Sequence, residues 1–217
     1  MFSEVKNIFF DFDGVILDSV DCKTQAFEKM YSKYGYDIAK KVKKYHLDNG
    51  GVSRFEKFKF WHKEHLGISL KEDEISKLAM EFSKLVFQKV IESNKIPGVM
   101  NFIKSNHKKL KFWIITGTPN DEILEIVKEL QLSKFFIGIY GSPQKKTFWS
   151  EKIIKENNLE RNQTLFIGDA STDFEAANFS SIKFALRQSD YNFNYFNKIN
   201  VYKFKRFEEL NKELNLR

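Results

Sequence analysis

Cysteine and proline are scarce in this chain, with one cysteine, Cys22, and 3 prolines in 217 residues. A lone thiol cannot close an internal disulfide, so a disulfide-stapled secreted scaffold is excluded and a reducing, cytoplasmic setting is expected. So little proline also excludes collagen-like and proline-rich linker architectures. No stretch approaches the roughly 20 apolar residues of a membrane helix, and the first residues, Met1 to Asn7, lack the basic-then-apolar order of a signal peptide. Long basic blocks are missing too. The formal charge is +7, but the lysines interleave with Glu and Asp along helical stretches, which reads as a solvated surface and not as a nucleic-acid or membrane footprint. What is present is a packed globular composition, 42% hydrophobic and 16% aromatic. The length suits one large domain, or a core domain carrying a smaller insertion.

Val5 to Phe10 is rich in β-formers and stops at Asp11-Phe12-Asp13-Gly14, the pattern of a buried strand emptying into a loop. From residue 19 to about 94 only helical periods occur, at Val20–Tyr34, Val52–Leu66 and Lys71–Ser93. After the Ile96-Pro97-Gly98 punctuation, helix and strand alternate. Helices are expected at 98–107, Asn120–Gln131, Phe148–Asn157 and Ser171–Ser180. Strands are expected at Leu110–Thr116, Phe135–Gly141, Thr164–Gly168 and Ile182–Leu186, with a weaker one near Asn200–Phe204 and a closing helix. Such alternation predicts βαβ units, hence an α/β fold with a parallel sheet and helices on both faces. The first strand joins that sheet only if the stretch between is an all-helical insertion.

In an open parallel sheet ligands bind beyond the carboxyl ends of the strands, and the chemically loaded residues lie there. Asp11 and Asp13 are two apart in extended chain, so their side chains point the same way. Two carboxylates so close favour different protonation states unless a cation intervenes, which divides labour between an ionised nucleophile or ligand and a proton carrier. Asp169 adds a third carboxylate after another strand, with Asp173 one helical turn on. Carboxylates with water suit Mg²⁺. Thr116 offers a hydroxyl, Gly117 an open N–H, and Lys145 or Lys146 a compact positive charge, together a site for phosphate.

Four segments carry a resemblance: Phe9-Phe10-Asp11-Phe12-Asp13-Gly14-Val15-Ile16-Leu17-Asp18-Ser19, Ile114-Ile115-Thr116-Gly117, the lysine of Ser142-Pro143-Gln144-Lys145-Lys146, and Gly168-Asp169-Ala170-Ser171-Thr172-Asp173. In order and spacing they match the motifs of haloacid dehalogenase superfamily hydrolases, and the chain resembles the phosphoglycolate phosphatase and β-phosphoglucomutase-like subgroup. A D-x-D-G or a G-D-x-x-x-D alone arises by chance on the order of a few per cent of the time in a chain this long; both together, each after an apolar strand, are specific.

The resemblance implies a Rossmannoid core of residues 1–16 and 95–217 and an inserted all-helical cap of residues 17–94. It implies a Mg²⁺-dependent phosphatase acting on a small phosphorylated metabolite such as a sugar phosphate. Asp11 becomes the nucleophile and Asp13 the general acid and base. Thr116, Gly117 and Lys146 hold phosphate, and Asp11, Asp13 and Asp169 hold the metal with Asp173 supporting from behind. Arg54, within Gly51-Val52-Ser53-Arg54, and Lys57 become cap contacts to substrate. A monomer or homodimer is expected. A phosphosugar mutase is the alternative, against which Lys23 stands where the mutase hinge has histidine; a non-catalytic anion-binding or nucleic-acid-binding protein on the same fold is a remoter one.

Other motifs fall away. A calcium loop starting at Asp11 would need glutamate where Cys22 stands, and Gly141 to Thr147 lacks the second glycine of a P-loop. His62 and His65 have no third ligand at a matching spacing and are expected to be surface histidines. Phe55, Phe58, Phe60 and Trp61 read as packing within the insertion.

Overall fold

The computed structural model describes residues 2–215. In chain order its elements are β1 (Asn7–Phe10), α1 (Val20–Tyr31), α2 (Tyr36–Asp48), α3 (Arg54–Trp61), α4 (Glu72–Glu92), α5 (Val99–Asn106), β2 (Lys111–Pro119) and α6 (Asn120–Glu129). There follow β3 (Gly138–Ser142), α7 (Lys146–Glu156), β4 (Thr164–Gly168), α8 (Ser171–Phe179), β5 (Lys183–Arg187), α9 (Phe193–Phe196), β6 (Tyr202–Phe204) and α10 (Phe207–Glu213). Among the described residues six strands form one sheet in the order β3-β2-β1-β4-β5-β6, and every neighbouring pair is parallel. The chain winds outward from β1 to β3 and returns across it to β4, so the crevice between the ends of β1 and β4 is the topological switch point.

Period-2 alternation sends successive side chains of each strand to opposite faces. Ile8, Phe10, Phe112, Ile114, Leu165 and Ile167 enter one apolar cluster with α5, α6 and α10, through residues such as Phe102, Ile126 and Phe207. Phe9, Trp113, Ile115 and Phe166 enter the other with Ile153 and Ile154 of α7 and Ala176 and Ala177 of α8. Rings meet edge-on across neighbouring strands, Phe9 with Trp113 at 5.6 Å and Phe10 with Phe112 at 5.1 Å between centroids. Each fully buried Phe contributes about 1.5–3 kcal/mol over its exposed state.

Between β1 and α5, with isolated bridges of Leu17 to Asp13 and Lys95 where the chain leaves and returns, the regular elements are all helices. Their common core is aromatic: Phe27 stacks on Phe82 at 3.8 Å and meets Trp61 edge-on at 4.9 Å. Phe58 and Trp61 are buried, Phe55 is half-buried and Phe60 reaches the surface. His62 is buried, its Nδ1 lying 2.9 Å from the Tyr31 hydroxyl, and no cation-holding group of side chains forms around His62 or His65 among the described residues. The chain leaves and re-enters the sheet region along paired tracks, with the Asp18 N–H donating to the Asn94 carbonyl at 2.8 Å and the Ile96 N–H to the Ile16 carbonyl at 3.0 Å. No described helix is long and apolar enough to cross a membrane.

Local departures from the sequence expectation have local causes. Helix α2 has no counterpart in it, because only Ala39, Val42 and His46 of its 13 residues are buried and the apolar stripe is too thin to read. The third strand begins at Gly138 because Ser133–Phe135 form a 3₁₀ turn. Strand β2 runs past Thr116 to Pro119, with an irregular register between Ile115 and Pro119, and α7 starts at Lys146, two residues early.

Candidate active site

Asp11 emerges from β1 at the switch point, its main-chain N–H donating to the Ile167 carbonyl of β4 at 2.9 Å. One carboxylate oxygen accepts from the Phe12 N–H at 2.7 Å, and the other lies 2.9 Å from Lys146 Nζ. Burial, then the Asp173 charge, push the Asp11 carboxyl up to about 7 against the pull of Lys146. Lys146, not Lys145, supplies the buried ammonium, and it also pairs with Asp173 at 2.6 Å. Burial alone would discharge this lysine, but the charges of Asp11 and Asp173 more than offset that and hold it protonated.

Asp173 caps α8, accepting from the N–H groups of Asp169 at 3.2 Å and Ala170 at 3.0 Å. The Asp169 main chain is bonded on both sides, its carbonyl accepting from Asn192 Nδ2 at 2.8 Å, but its carboxylate has no hydrogen bond or ion pair among the described residues, and burial followed by the Asp11 and Asp173 charges pushes that carboxyl well above the usual range. Oxygens of Asp11, Asp169 and Asp173 all lie within 4.8 Å of one another. Three carboxylates against one ammonium leave a surplus of negative charge, and one carboxylate is without a partner. That donor set fits a hard divalent cation, which takes oxygen ligands and tolerates open positions. Gly14, at φ +76°, packs so closely on Asp169 that a side chain there would occupy the carboxylate's place.

Asp13 has different company. Its carboxylate accepts from Lys23 Nζ and from Ser19 Oγ, each at 2.5 Å, and from Thr118 Oγ1 at 3.0 Å. Burial raises its pKa, but Lys23 and these hydrogen bonds overcome that and hold it below the ordinary carboxylate range. Its side chain is held by these groups and is not among the three whose oxygens cluster, Asp11, Asp169 and Asp173. Lys23 also donates to Thr118 Oγ1 at 2.8 Å, while the Thr118 N–H donates to Thr116 Oγ1 at 3.2 Å.

The helices after β1 close over these groups. Gly51, in the turn between α2 and α3, brings its carbonyl against the Cα of Gly117, where any side chain would collide. A cavity of about 370 Å³ remains, lined by Asp11, Asp13, Thr116, Gly117 and Asp169 below and by Lys23, His46, Arg54 and Lys57 above. Arg54 lines it but is engaged elsewhere: its guanidinium grips Glu122 of α6 with two bonds of 2.7 and 2.6 Å and donates to Ser83 of α4 at 2.6 Å. Lys57 lies beside His46, 2.7 Å from Nδ1.

The structure thus brings Asp11, Asp169, Asp173 and Lys146 into direct contact or near it, and sets Asp13, Thr116 and Gly117 around the same cavity. Lys23, Thr118, Glu122 and His46 escaped the sequence reading as members of this site. Thr118 shares the alternation of Thr116, a usable signal. Glu122 looks like any first-turn carboxylate of a helix, and His46 sits on the helix that the pattern did not disclose.

Against this geometry the comparisons with known proteins are specific. A phosphoglycolate phosphatase from Pseudomonas savastanoi pv. phaseolicola is 28% identical over 196 residues, covering 86% of this chain and 71% of the relative. A phosphorylated carbohydrates phosphatase from Thermotoga maritima is 27% identical, covering 81% of this chain and 82% of its own length. Among solved structures, CbbY from Rhodobacter sphaeroides in complex with phosphate superposes with a TM-score of 0.77 at 14% identity, covering 98% of this chain and all of that one, a likeness of fold. The family model for haloacid dehalogenase-like hydrolases matches residues 8–186. With that match running from β1 to β5 and enclosing every group of the site, the chain belongs to the haloacid dehalogenase-like hydrolases.

Proposed function

We propose that the protein is a Mg²⁺-dependent phosphatase that hydrolyses a small phosphorylated metabolite by way of an aspartyl phosphate, with residues 17–94 acting as a cap over a core of residues 1–16 and 95–217. The observation that carries this reading is the Asp11 carboxylate, braced by the Phe12 N–H and Lys146 at the switch point and facing a covered cavity. Phosphatase relatives acting on phosphoglycolate and phosphorylated carbohydrates support the substrate class.

In this reading a substrate phosphoryl group lies over Asp11, with Thr116, Gly117 and Lys146 around its oxygens. A carboxylate oxygen of Asp11 attacks phosphorus as the bond to the leaving oxygen breaks, and Asp13 delivers a proton to that oxygen. The resting Asp13 is ionised, and a phosphoryl dianion arriving beside it raises its proton affinity so that it takes up from solvent the proton it then delivers. Asp13 then takes a proton from the water that attacks the aspartyl phosphate, which releases inorganic phosphate and restores Asp11. Asp11 and Asp169 would hold Mg²⁺, with Asp173 behind them. When bound, the ion neutralises charge on the transferred oxygens. Lys23 holds Asp13 in place, and the helices over the cavity restrict the access of bulk water to the intermediate.

The test is hydrolysis of p-nitrophenyl phosphate with and without Mg²⁺, alongside β-glucose 1-phosphate. Release of inorganic phosphate from both supports hydrolysis; isomerisation of the sugar phosphate faster than its hydrolysis would instead make the protein a mutase. Asp13→Asn should lose on the order of 10²–10⁴-fold in kcat/KM for alkyl phosphates. It should lose far less for p-nitrophenyl phosphate, whose leaving group needs no proton, and equal losses would remove Asp13 from the role of acid.

A second outcome concerns the cation. With its pKa raised to about 7, Asp11 binds a proton in the folded state that the unfolded chain releases, so below that value protons stabilise the metal-free fold and compete with Mg²⁺. Saturating Mg²⁺, at about a hundred times its Kd, should raise the Tm by roughly 5–10 °C at pH 8. At pH 6 a tenfold weaker apparent affinity should cut that rise by about 3–5 °C. Thermal melts in EDTA and in Mg²⁺ at the two pH values check this, and an identical increment at both would show that no shared protonated carboxyl faces the ion.

A further inference from the structure

The roof of the cavity is more basic than handling one phosphoryl group requires. Lys23 has Asp13 as its counter-ion and Arg54 has Glu122. Lys57 has neither kind of partner: among the described residues no carboxylate lies within ion-pair reach, and its ammonium meets the Nδ1 of His46 at 2.7 Å. Both are deeply buried, Lys57 at 2% and His46 at 8% exposure. The Lys57 ammonium also lies 5.9 Å from the centroid of the Phe27 ring.

A lysine enclosed without a counter-ion destabilises a fold, and an apolar side chain of similar length would serve packing better. Burial, then Lys23, draw its pKa down to about 7, with Lys146 and Arg54 adding to the effect and Asp13 opposing it. Burial and the Lys57 charge likewise hold His46 neutral, so its ring can accept from the ammonium. An anion entering the roof would meet a donor already aimed and freed from any competing carboxylate. The cavity of about 370 Å³ has the volume of roughly a dozen waters, more than a phosphoryl group and a two-carbon remainder fill.

We propose that Lys57 and His46 form an anion subsite in the roof, and that the physiological substrate carries a second anionic group, carboxylate or phosphate, on a leaving group of more than two carbons. This rests on the phosphatase reading above. Lys57 makes the ion pair, and His46 fixes the direction of its ammonium. Phe27 and Phe82 line the stretch beside it.

The test compares kcat/KM for 6-phosphogluconate, fructose 1,6-bisphosphate and glucose 6-phosphate, with p-nitrophenyl phosphate as the measure of phosphatase activity itself. At least one doubly anionic sugar should exceed glucose 6-phosphate by about ten- to a hundredfold, the range of a charge-assisted contact; the gluconate and bisphosphate arms tell carboxylate from phosphate. In Lys57→Met that ratio should fall to within about threefold of unity, with a Tm no lower than wild type, while Lys57→Arg should retain part of the preference. His46→Gln, made in parallel, should lower the ratio as well and decides the matter if Lys57→Met fails to fold. A wild-type enzyme that hydrolyses p-nitrophenyl phosphate but shows no preference for either doubly anionic sugar overturns the subsite alone, as does a preference that survives in Lys57→Met or, where that variant does not fold, in His46→Gln. No hydrolysis of any of the four overturns the phosphatase reading and the subsite with it.

Discussion

Asp11→Asn should abolish turnover, lowering kcat for p-nitrophenyl phosphate by on the order of 10⁴-fold or more, the scale seen when a nucleophile is removed from an otherwise intact site. Asparagine keeps the shape of aspartate and can still accept from the Phe12 N–H, so geometry is preserved while the attacking charge is lost. The fold should not suffer. Asp11 lies among carboxylates with only Lys146 to balance them, and removing one of those charges relieves repulsion. In EDTA at pH 8 the variant should therefore melt at or above the wild-type temperature. Acid-quenched wild-type enzyme should carry a phosphate adduct, visible by mass spectrometry, that the variant lacks. Wild-type activity in Asp11→Asn would refute its assignment as nucleophile.

Glu122→Ala should be the most destabilising single change in the site. Arg54 and Glu122 are 4% and 7% exposed, and their bidentate contact ties α3 of the inserted helices to α6 beside the sheet, with Ser83 of α4 bonded to both. Removing the carboxylate leaves a buried guanidinium without a counter-ion, a loss of about 3–5 kcal/mol, and in a chain of this size that lowers the Tm by roughly 10 °C. The loss reflects the stranded charge, not the net worth of the pair, so the double variant Arg54→Met/Glu122→Leu should recover most of the stability. Both variants should lose kcat/KM, because the pair holds α3 against the helix that follows β2. The double-mutant cycle checks this by thermal melts and steady-state kinetics. A drop of less than about 2 °C in Glu122→Ala, below the 2–4 °C expected per kcal/mol, would mean that the pair does not bind α3 to α6.

Much of the site was legible because its chemistry is local. Asp11, Asp13, Thr116 and Asp169 each follow a short apolar run, and in a parallel sheet such positions gather at one edge whatever the details of packing. The strand pattern was equally direct, since Phe9 and Phe10 must face opposite sides and both sides are covered. Where the pattern was weak the reading stopped. Helix α2 buries one thin stripe and was missed, and with it His46. Lys145 and Lys146 are equivalent as letters, and only the start of α7 at Lys146 turns one of them onto Asp11 and Asp173.

By itself, then, the amino-acid order determined the family, the α/β architecture and the four strand ends that bear carboxylates, hydroxyl and lysine, because each depends on residues within a few positions of one another. Only the tertiary structure decided how the charges are shared. Arg54 faces Glu122 across 68 positions of sequence, Lys23 sits on Asp13, and Lys57 is left with a histidine in place of a carboxylate. Those pairings follow from how the inserted helices lie over the sheet, and partners around a cavity are chosen by distance in space, which periodicity along a chain does not encode.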